Sequence, residues 1–427
     1  MAMSVDDEIE VKRRWVFYIP GFDPNPPRRY RELYRTEGAR QAEISRYGLN
    51  VSARTGEGFG WDVHGKIEGV PVHARMDVLV WHDLVQASMG HSITATYWQL
   101  LRTAWIYIAS GTMRRLIWLR KGPIVAAFYP IVVLLAQLAL AMALGSVLAG
   151  VTATVVGWGL NGAAWALGID ALPGTALALW GLGWAVFAVT VFFALRFFQR
   201  WDGKLFAWYL MHDFAFAAGH SGAYPPELEE RIGQFADQVA RAMASSADEV
   251  LIVGHSSGAQ LAVSVVADLL RSGRVPANGP ELSLLTLGQA IPMVSFLPKA
   301  ARLRRDLRDL AVNDRIVWVD VSAPGDGCSF ALCDPVAVTG VAPEGARWPL
   351  VISAAFSKTL APERWRALKR RYYRLHFQYL CAFDDPQSFD YFRITAGPRT
   401  LGARFADRKP SQNRIDVPAS RFTDIAA

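Results

Sequence analysis

Three observations in the 427-residue chain predict a mixed α/β fold: a mostly parallel sheet flanked by helices and interrupted by a two-helix transmembrane hairpin. Apolar runs of buried-strand length stand at residues 15–19, 249–253, 282–287 and 316–321. Helical segments alternate with the later runs, which is the order that builds a parallel sheet covered on both faces. Residues 122–169 carry no charge, and beyond Asp170 residues 171–195 carry none. The 353 positions outside 122–195 hold 82 charged residues, about 23%, an ordinary globular value. The 52% hydrophobic content of the whole chain therefore reflects an inserted apolar block.

The chain opens with Met1–Arg14, acidic then basic and without the apolar core of a signal peptide. Trp15–Ile19 reads as a buried strand running into the turn Pro20-Gly21-Phe22. Asn50–Ala53, Gly60–Ile67 and Val70–Trp81 are strand-like stretches separated by glycine turns, so residues 1–95 form the first part of the sheet domain. Residues 96–205 are the insertion. Between positions 84 and 169 there is no acid, and Arg102, Arg114, Arg115, Arg120 and Lys121 stand among Trp98, Trp105, Leu116 and Trp118. Basic and aromatic residues ahead of an apolar run suit an approach to anionic lipid, and no nucleic-acid module accompanies the net charge of +7.

A helix needs about 20 apolar residues to cross the hydrocarbon core. Spans at about 123–149 and 172–195 meet this, and the milder stretch 151–170, punctuated by Gly157, Gly159, Asn161, Gly162 and Gly168, reads as the connection, with a third span as the alternative. Arg114, Arg115, Arg120 and Lys121 precede the first span, and Arg196, Arg200 and Lys204 follow the second, whereas the connection has no base. Positive flanks stay on the cytoplasmic side, so the expectation is an integral protein of a bacterial-type inner (plasma) membrane with its soluble portions in the cytoplasm. Cys328, Cys333 and Cys381 lack metal-ligand spacing and read as free thiols of a reducing compartment.

Residues 206–407 make the second part of the sheet domain. Leu228, Ile232, Phe235, Val239 and Met243 recur at helical spacing, Glu249–Val253 is a strand, Gly258–Leu270 a helix apolar nearly all round, and Leu282–Leu287 a strand. Lys299–Leu310 reads as a very basic surface helix, Ile316–Val321 as a strand, Pro362–Arg374 and Pro386–Thr395 as closing helices, and 408–427 as a loose tail.

Strand 249–253 runs into Gly254-His255-Ser256-Ser257-Gly258 and a helix starts at once, the context a G-x-S-x-G nucleophile turn requires. Gly219-His220-Ser221-Gly222 contains a similar triplet but follows a helical stretch and lacks the second glycine at the right spacing. One histidine, His376, lies after Ser256, and Asp326 sits in the turn Pro324-Gly325-Asp326-Gly327 just beyond a strand, with Asp334 and Asp320 as alternative acids. His64, His73, His82 and His91 recur every nine residues, an interval that flips faces along a strand and matches no zinc spacing. No phosphate-binding loop occurs, and no cofactor is implied.

Over Trp15–Phe22, Asp77–Trp81 and residues 227–396 the chain resembles the α/β-hydrolase superfamily, in particular its lipase and esterase branch. The resemblance implies Ser256 as nucleophile, His376 as base and Asp326 as its orienter, with the backbone amides of Ser257 and Phe22 stabilising an oxyanion. It implies hydrolysis of an acyl ester or thioester. Acyl transfer by the same triad, or a non-catalytic scaffold keeping the fold, are the alternatives. Two features depart from the usual pattern: the chain begins near the oxyanion strand, and the insertion precedes the nucleophile strand.

Overall fold

The computed structural model describes residues 11–54, 58–90, 92–170 and 173–426. Most of the amino-terminal segment read as having no signal peptide, Met1–Glu10, lies outside them, as do His91 and the expected start of the second span at residue 172, so those expectations fall outside the described residues. Eight strands form one sheet: β1 (Arg13–Ile19), β2 (Gly48–Ala53), β3 (Phe59–Ile67), β4 (Val70–Val78), β5 (Glu249–His255), β6 (Glu281–Leu287), β7 (Val317–Ser322) and β8 (Leu350–Ser353). Their order is β2-β3-β4-β1-β5-β6-β7-β8. β2, β3 and β4 pair antiparallel, and from β4 through β1 to β8 every pairing is parallel. The β3–β4 hairpin turns on Glu68 and Gly69, both at positive φ (56° and 85°), the conformation that matches the twist of two-residue hairpins. β5 is buried along its whole length, so its apolar run is continuous, not alternating.

Helices cover the sheet. We label α1 (Arg28–Ser45), α2 (Ile93–Ala109), α3 (Lys121–Ala166), α4 (Thr175–Arg200), α5 (Pro226–Met243), α6 (Gly258–Arg271), α7 (Ala301–Ala311), α8 (Pro362–Leu368), α9 (Tyr372–His376) and α10 (Tyr391–Ala396). α5 buries Leu228, Ile232, Phe235, Val239 and Met243, the residues whose period predicts it. Each such side chain contributes about 1.5–3 kcal/mol of burial. α6 is buried on nearly every side, as its composition predicts.

Several elements differ from the expectation. α1 has no aliphatic stripe, because its buried face is Tyr30, Tyr34, Gly38 and Gln41, and it goes unread in the sequence. The basic helix over 299–310 is not a surface element: Arg304 and Asp306 in α7 are fully buried, and the Arg304 guanidinium donates to the carbonyls of Ser295, Leu297 and Pro298. The single helix expected over 362–374 breaks after Leu368 into α8 and α9, followed by a 3-10 turn at Phe377–Leu380. The helix expected from Pro386 starts at Tyr391, where Asp390 caps it by accepting from the Phe392 and Arg393 amides. The four-residue β8 escapes the pattern by its shortness. The 408–427 stretch is not loose: Ile415 bridges to Cys333, Ser411 donates to the Val351 carbonyl and Ala419 to that of Val338.

The chain divides into two compact units, one of residues up to Gly90, Thr103–Ala126 and Phe216 onward, the other of His91–Arg102 and Ala127–Ala215. The insertion is thus cut differently from the expected 96–205, because residues 103–126 pack on the sheet unit through Tyr107 to the Met293 carbonyl and Thr112 to that of Phe296. α3 runs unbroken for 46 residues, those from Ala127 on in the second unit, so the expected connection over 151–170 is mostly helix. Its glycines are isolated among Ala, Leu, Val and Trp, and each costs only about 1 kcal/mol against alanine in a helix. The helices end at Ala166 and resume at Thr175, and between them Gly168 (φ 69°) and Gly174 (φ 78°) take left-handed conformations. α3 and α4 face each other where Gly145 meets Phe187 and Val191. Both are long and apolar enough to cross a membrane, and they expose large residues such as Trp158, Trp165, Leu177 and Trp180. A third apolar span is not formed among the described residues.

Candidate active site

The G-x-S-x-G segment forms a tight turn between β5 and α6. Ser256 has φ 57°, a left-handed conformation that a non-glycine residue adopts only when its surroundings impose it. Its amide donates to the Leu287 carbonyl at 2.9 Å, which fixes the turn to the end of β6. The flanking glycines make room for the crossing. A Cβ on Gly254 would lie 2.7 Å from both Ala259 Cα and Ala262 Cβ, and one on Gly258 would overlap the carbonyl oxygens of Ile19 and Pro20. Ser221 also has positive φ (55°), yet no strand leads into it, so a left-handed serine by itself does not make this turn.

His376 and Asp326 meet. His376 Nδ1 lies 2.7 Å from Asp326 Oδ2, and both side chains are buried. The same oxygen accepts the Tyr379 hydroxyl at 3.0 Å, and Oδ1 accepts the Cys328 amide at 3.0 Å. Burial alone would raise the Asp326 pKa, but the charge and hydrogen bond of His376 and the Cys328 amide outweigh it and hold the carboxyl below its ordinary value. An ionised Asp326 accepts from Nδ1–H, which leaves the Nε2 lone pair as the basic atom, and Nε2 is buried without a hydrogen-bond partner. Gly288 (φ 51°), at the end of β6, lets this pair come close: a Cβ there would lie 3.1 Å from His376 Cε1 and 3.2 Å from Asp326 Oδ2.

Ser256 and the His376–Asp326 pair therefore converge on the Leu287–Gly288 turn. The His255 ring, one residue from Ser256, stacks on His376 with centroids 4.8 Å apart. Because His376 Nε2 has no partner, it makes no hydrogen bond with Ser256 Oγ. Gly21 packs directly against the serine, since a Cβ on it would stand 2.9 Å from Ser256 Cβ.

Among the described residues the Ser257 amide, expected as the first donor, has no hydrogen-bond partner. The Phe22 amide, expected as the second donor, is instead occupied: it donates to Ser257 Oγ at 2.8 Å. Only a change of the Ser257 χ1 rotamer, which moves Oγ itself, would release the amide from this contact. Phe22 itself is buried in an aromatic cluster with Trp81 and Phe216, and Trp81 Nε1 donates to the Pro20 carbonyl, which anchors the turn.

The alternative acids have other tasks. Asp334 caps the helix Pro335–Thr339 through the Val336 and Ala337 amides, and burial raises its pKa to about 6. Asp320 lies inside β7, accepts from Thr286 Oγ1 at 2.6 Å, and burial raises its pKa to about 8. The nine-residue histidine interval does bring two rings together, through pairing across strands: His64 opposes His73 in the β3–β4 register, with ring centroids 4.8 Å apart. Cys328 joins Asp326 and His376 with ligand atoms within 4.8 Å of one another, close enough to hold a divalent cation.

Sequence reasoning missed Tyr379, Tyr18 and His255 as parts of the site. Tyr379 follows His376 by one helical turn, a spacing that signals a shared face. It also accepts the Ala323 amide at 3.0 Å, so it ties the acid turn to the histidine segment. The acid turn touches the start of α3 within the sheet unit, where a Cβ on Gly122 would lie 3.2 Å from Gly327 Cα. No protein-family model matches the chain, and neither a curated protein nor a solved structure does.

Proposed function

We propose that the protein is a membrane-anchored serine hydrolase of the α/β-hydrolase type, cleaving an ester or thioester of an amphiphilic acyl substrate. The observation that carries this reading is the buried His376–Asp326 pair, 2.7 Å apart, beside a left-handed Ser256 at a strand-to-helix turn. Ser256 Oγ attacks the acyl carbonyl while His376 Nε2 takes its proton, and Asp326 holds the imidazole and the charge it acquires. The Ser257 amide, at the amino terminus of α6, and the Phe22 amide stabilise the oxyanion. His376 then returns the proton to the leaving group, and water releases the acyl chain by the reverse sequence. A non-water acceptor in that last step would give acyl transfer.

The apolar helices α3 and α4 support anchorage, with lipid bilayer as the partner. The basic flanks support a cytoplasmic orientation of the sheet unit. Labelling of Ser256 by a fluorophosphonate probe in native membranes, followed by a panel of acyl esters of increasing chain length, tests the proposal. The expected result is labelling and turnover that Ser256→Ala abolishes. A folded wild-type protein that is neither labelled nor active overturns it in favour of a binding or scaffold role.

A further inference from the structure

His255 occupies the variable position of the turn, is 2% exposed, and touches three parts of the site at once. Its Nε2 lies 3.0 Å from the backbone carbonyl oxygen of His376, and its Nδ1 lies 3.3 Å from the Tyr18 hydroxyl. A carbonyl oxygen only accepts, so the ring proton is on Nε2, and Nδ1 is left to accept from Tyr18. One neutral tautomer satisfies both contacts. Burial and the neighbouring His376 push the His255 pKa down to about 3, which keeps the ring neutral under working conditions. The ring planes of His255 and His376 are 28° apart at 4.8 Å, and Phe377 closes the other side with its centroid 5.2 Å from that of His255.

From this geometry we infer that His255 is a positioning residue: it links the β1 strand through Tyr18 to the backbone and ring face of His376, and so fixes the base relative to Ser256. The inference rests on the hydrolase reading above. The backbone of His376 is held by the Nε2–H donor, its Nδ1 by Asp326, and one ring face by the stack, which together restrict the rotations that would carry Nε2 away from the serine. A neutral aromatic ring alongside also favours the imidazolium that forms when His376 takes the proton, whereas a second charged imidazole would oppose it.

The test compares His255→Leu, which keeps bulk and removes both polar contacts, with His255→Gln, whose amide can still donate to the His376 carbonyl. Active-site titration with the fluorophosphonate gives the folded fraction, and kcat and KM are then taken per titrated site. His255→Leu should lower kcat by about 10- to 100-fold, the scale of an ångström-sized misplacement of a reacting group, with KM within about twofold. His255→Gln should recover most of the loss. A purely structural histidine would instead lower the titrated fraction and leave kcat per site unchanged. If His255→Leu does not fold, Tyr18→Phe carries the test: deleting that hydroxyl should slow kcat severalfold at constant KM. Variants whose kcat per site equals that of wild type, or a Gln variant no better than Leu, overturn the inference and leave the hydrolase reading standing. A folded wild type that is neither labelled nor active overturns both.

Discussion

Asp326→Asn separates the acid from its two alternatives. Wild-type Asp326 offers two acceptor oxygens to three donors: Oδ2 to His376 Nδ1–H and the Tyr379 hydroxyl, Oδ1 to the Cys328 amide. Asparagine replaces one acceptor by an NH2 group, and neither orientation suits the site. With NH2 at the Oδ1 position it faces the Cys328 N–H, a buried donor against a donor, at a cost of about 1–3 kcal/mol. With NH2 at the Oδ2 position it faces His376 Nδ1, and the imidazole adapts by moving its proton to Nε2. The second arrangement is the cheaper one, because a tautomer shift relieves the histidine contact and the Tyr379 hydroxyl, which can also accept, takes the second N–H. It also removes the base, since the atom aimed at substrate is now protonated. The expected loss in kcat is about 10³- to 10⁴-fold, or about 4–5 kcal/mol of transition-state stabilisation, with little change in folding. The rate of fluorophosphonate labelling of Ser256 in detergent, beside ester turnover, measures it. Asp320→Asn and Asp334→Asn should stay within a few-fold of wild type, the latter keeping its helix cap because the asparagine oxygen still accepts the Val336 and Ala337 amides. Retention of more than about a tenth of wild-type rate by Asp326→Asn would refute the assignment.

Asp320 makes a pH-dependent prediction. Its pKa is raised from 3.8 to about 8 by burial, so the folded state holds a proton that the unfolded chain releases, and stability falls as pH rises from about 4 to about 8. The slope is about 1.4 kcal/mol per pH unit, so Asp320→Asn should gain about 3 kcal/mol on wild type between pH 5 and pH 7. Parallel melting curves for the two proteins at both pH values would show the group to be ionised in the fold. Gly258→Ala should abolish labelling and destabilise the sheet unit by about 1–3 kcal/mol or more, because the new Cβ overlaps backbone oxygens of Ile19 and Pro20 that no rotamer change can move. Gly150→Ala, in α3 where the added atom meets open space, should leave labelling unchanged and gain up to about 1 kcal/mol, and equal behaviour of the two would discount the close approach.

The amino-acid sequence by itself determined the strand and helix alternation from residue 226 to the end of β7, the two apolar helices and the Ser256 turn. These rest on local periodicity and on residues that act where they stand: glycines that admit a crossing, runs with no charge, a serine between a strand and a helix. It also singled out Asp326 and His376 by their order along the chain, and the structure brings these two, 50 positions apart, into contact. What it left unread follows from the same logic. α1 buries tyrosines, a glycine and a glutamine in place of aliphatic residues, so its period is silent. The reversal between the apolar helices is set by where Gly168 and Gly174 take left-handed conformations, not by every glycine that would mark a turn in a soluble loop.

Tertiary structure alone decided the company each polar residue keeps. The Phe22 amide meets the Ser257 hydroxyl, Asp320 lies paired with Thr286 inside the sheet, Tyr379 donates to Asp326, and His255 donates to the His376 carbonyl. Hydrogen bonds of this kind act over about 3 Å between segments tens to hundreds of residues apart. No spacing along the chain encodes them, because they exist only once the sheet has set β1, β5, β6 and β7 side by side.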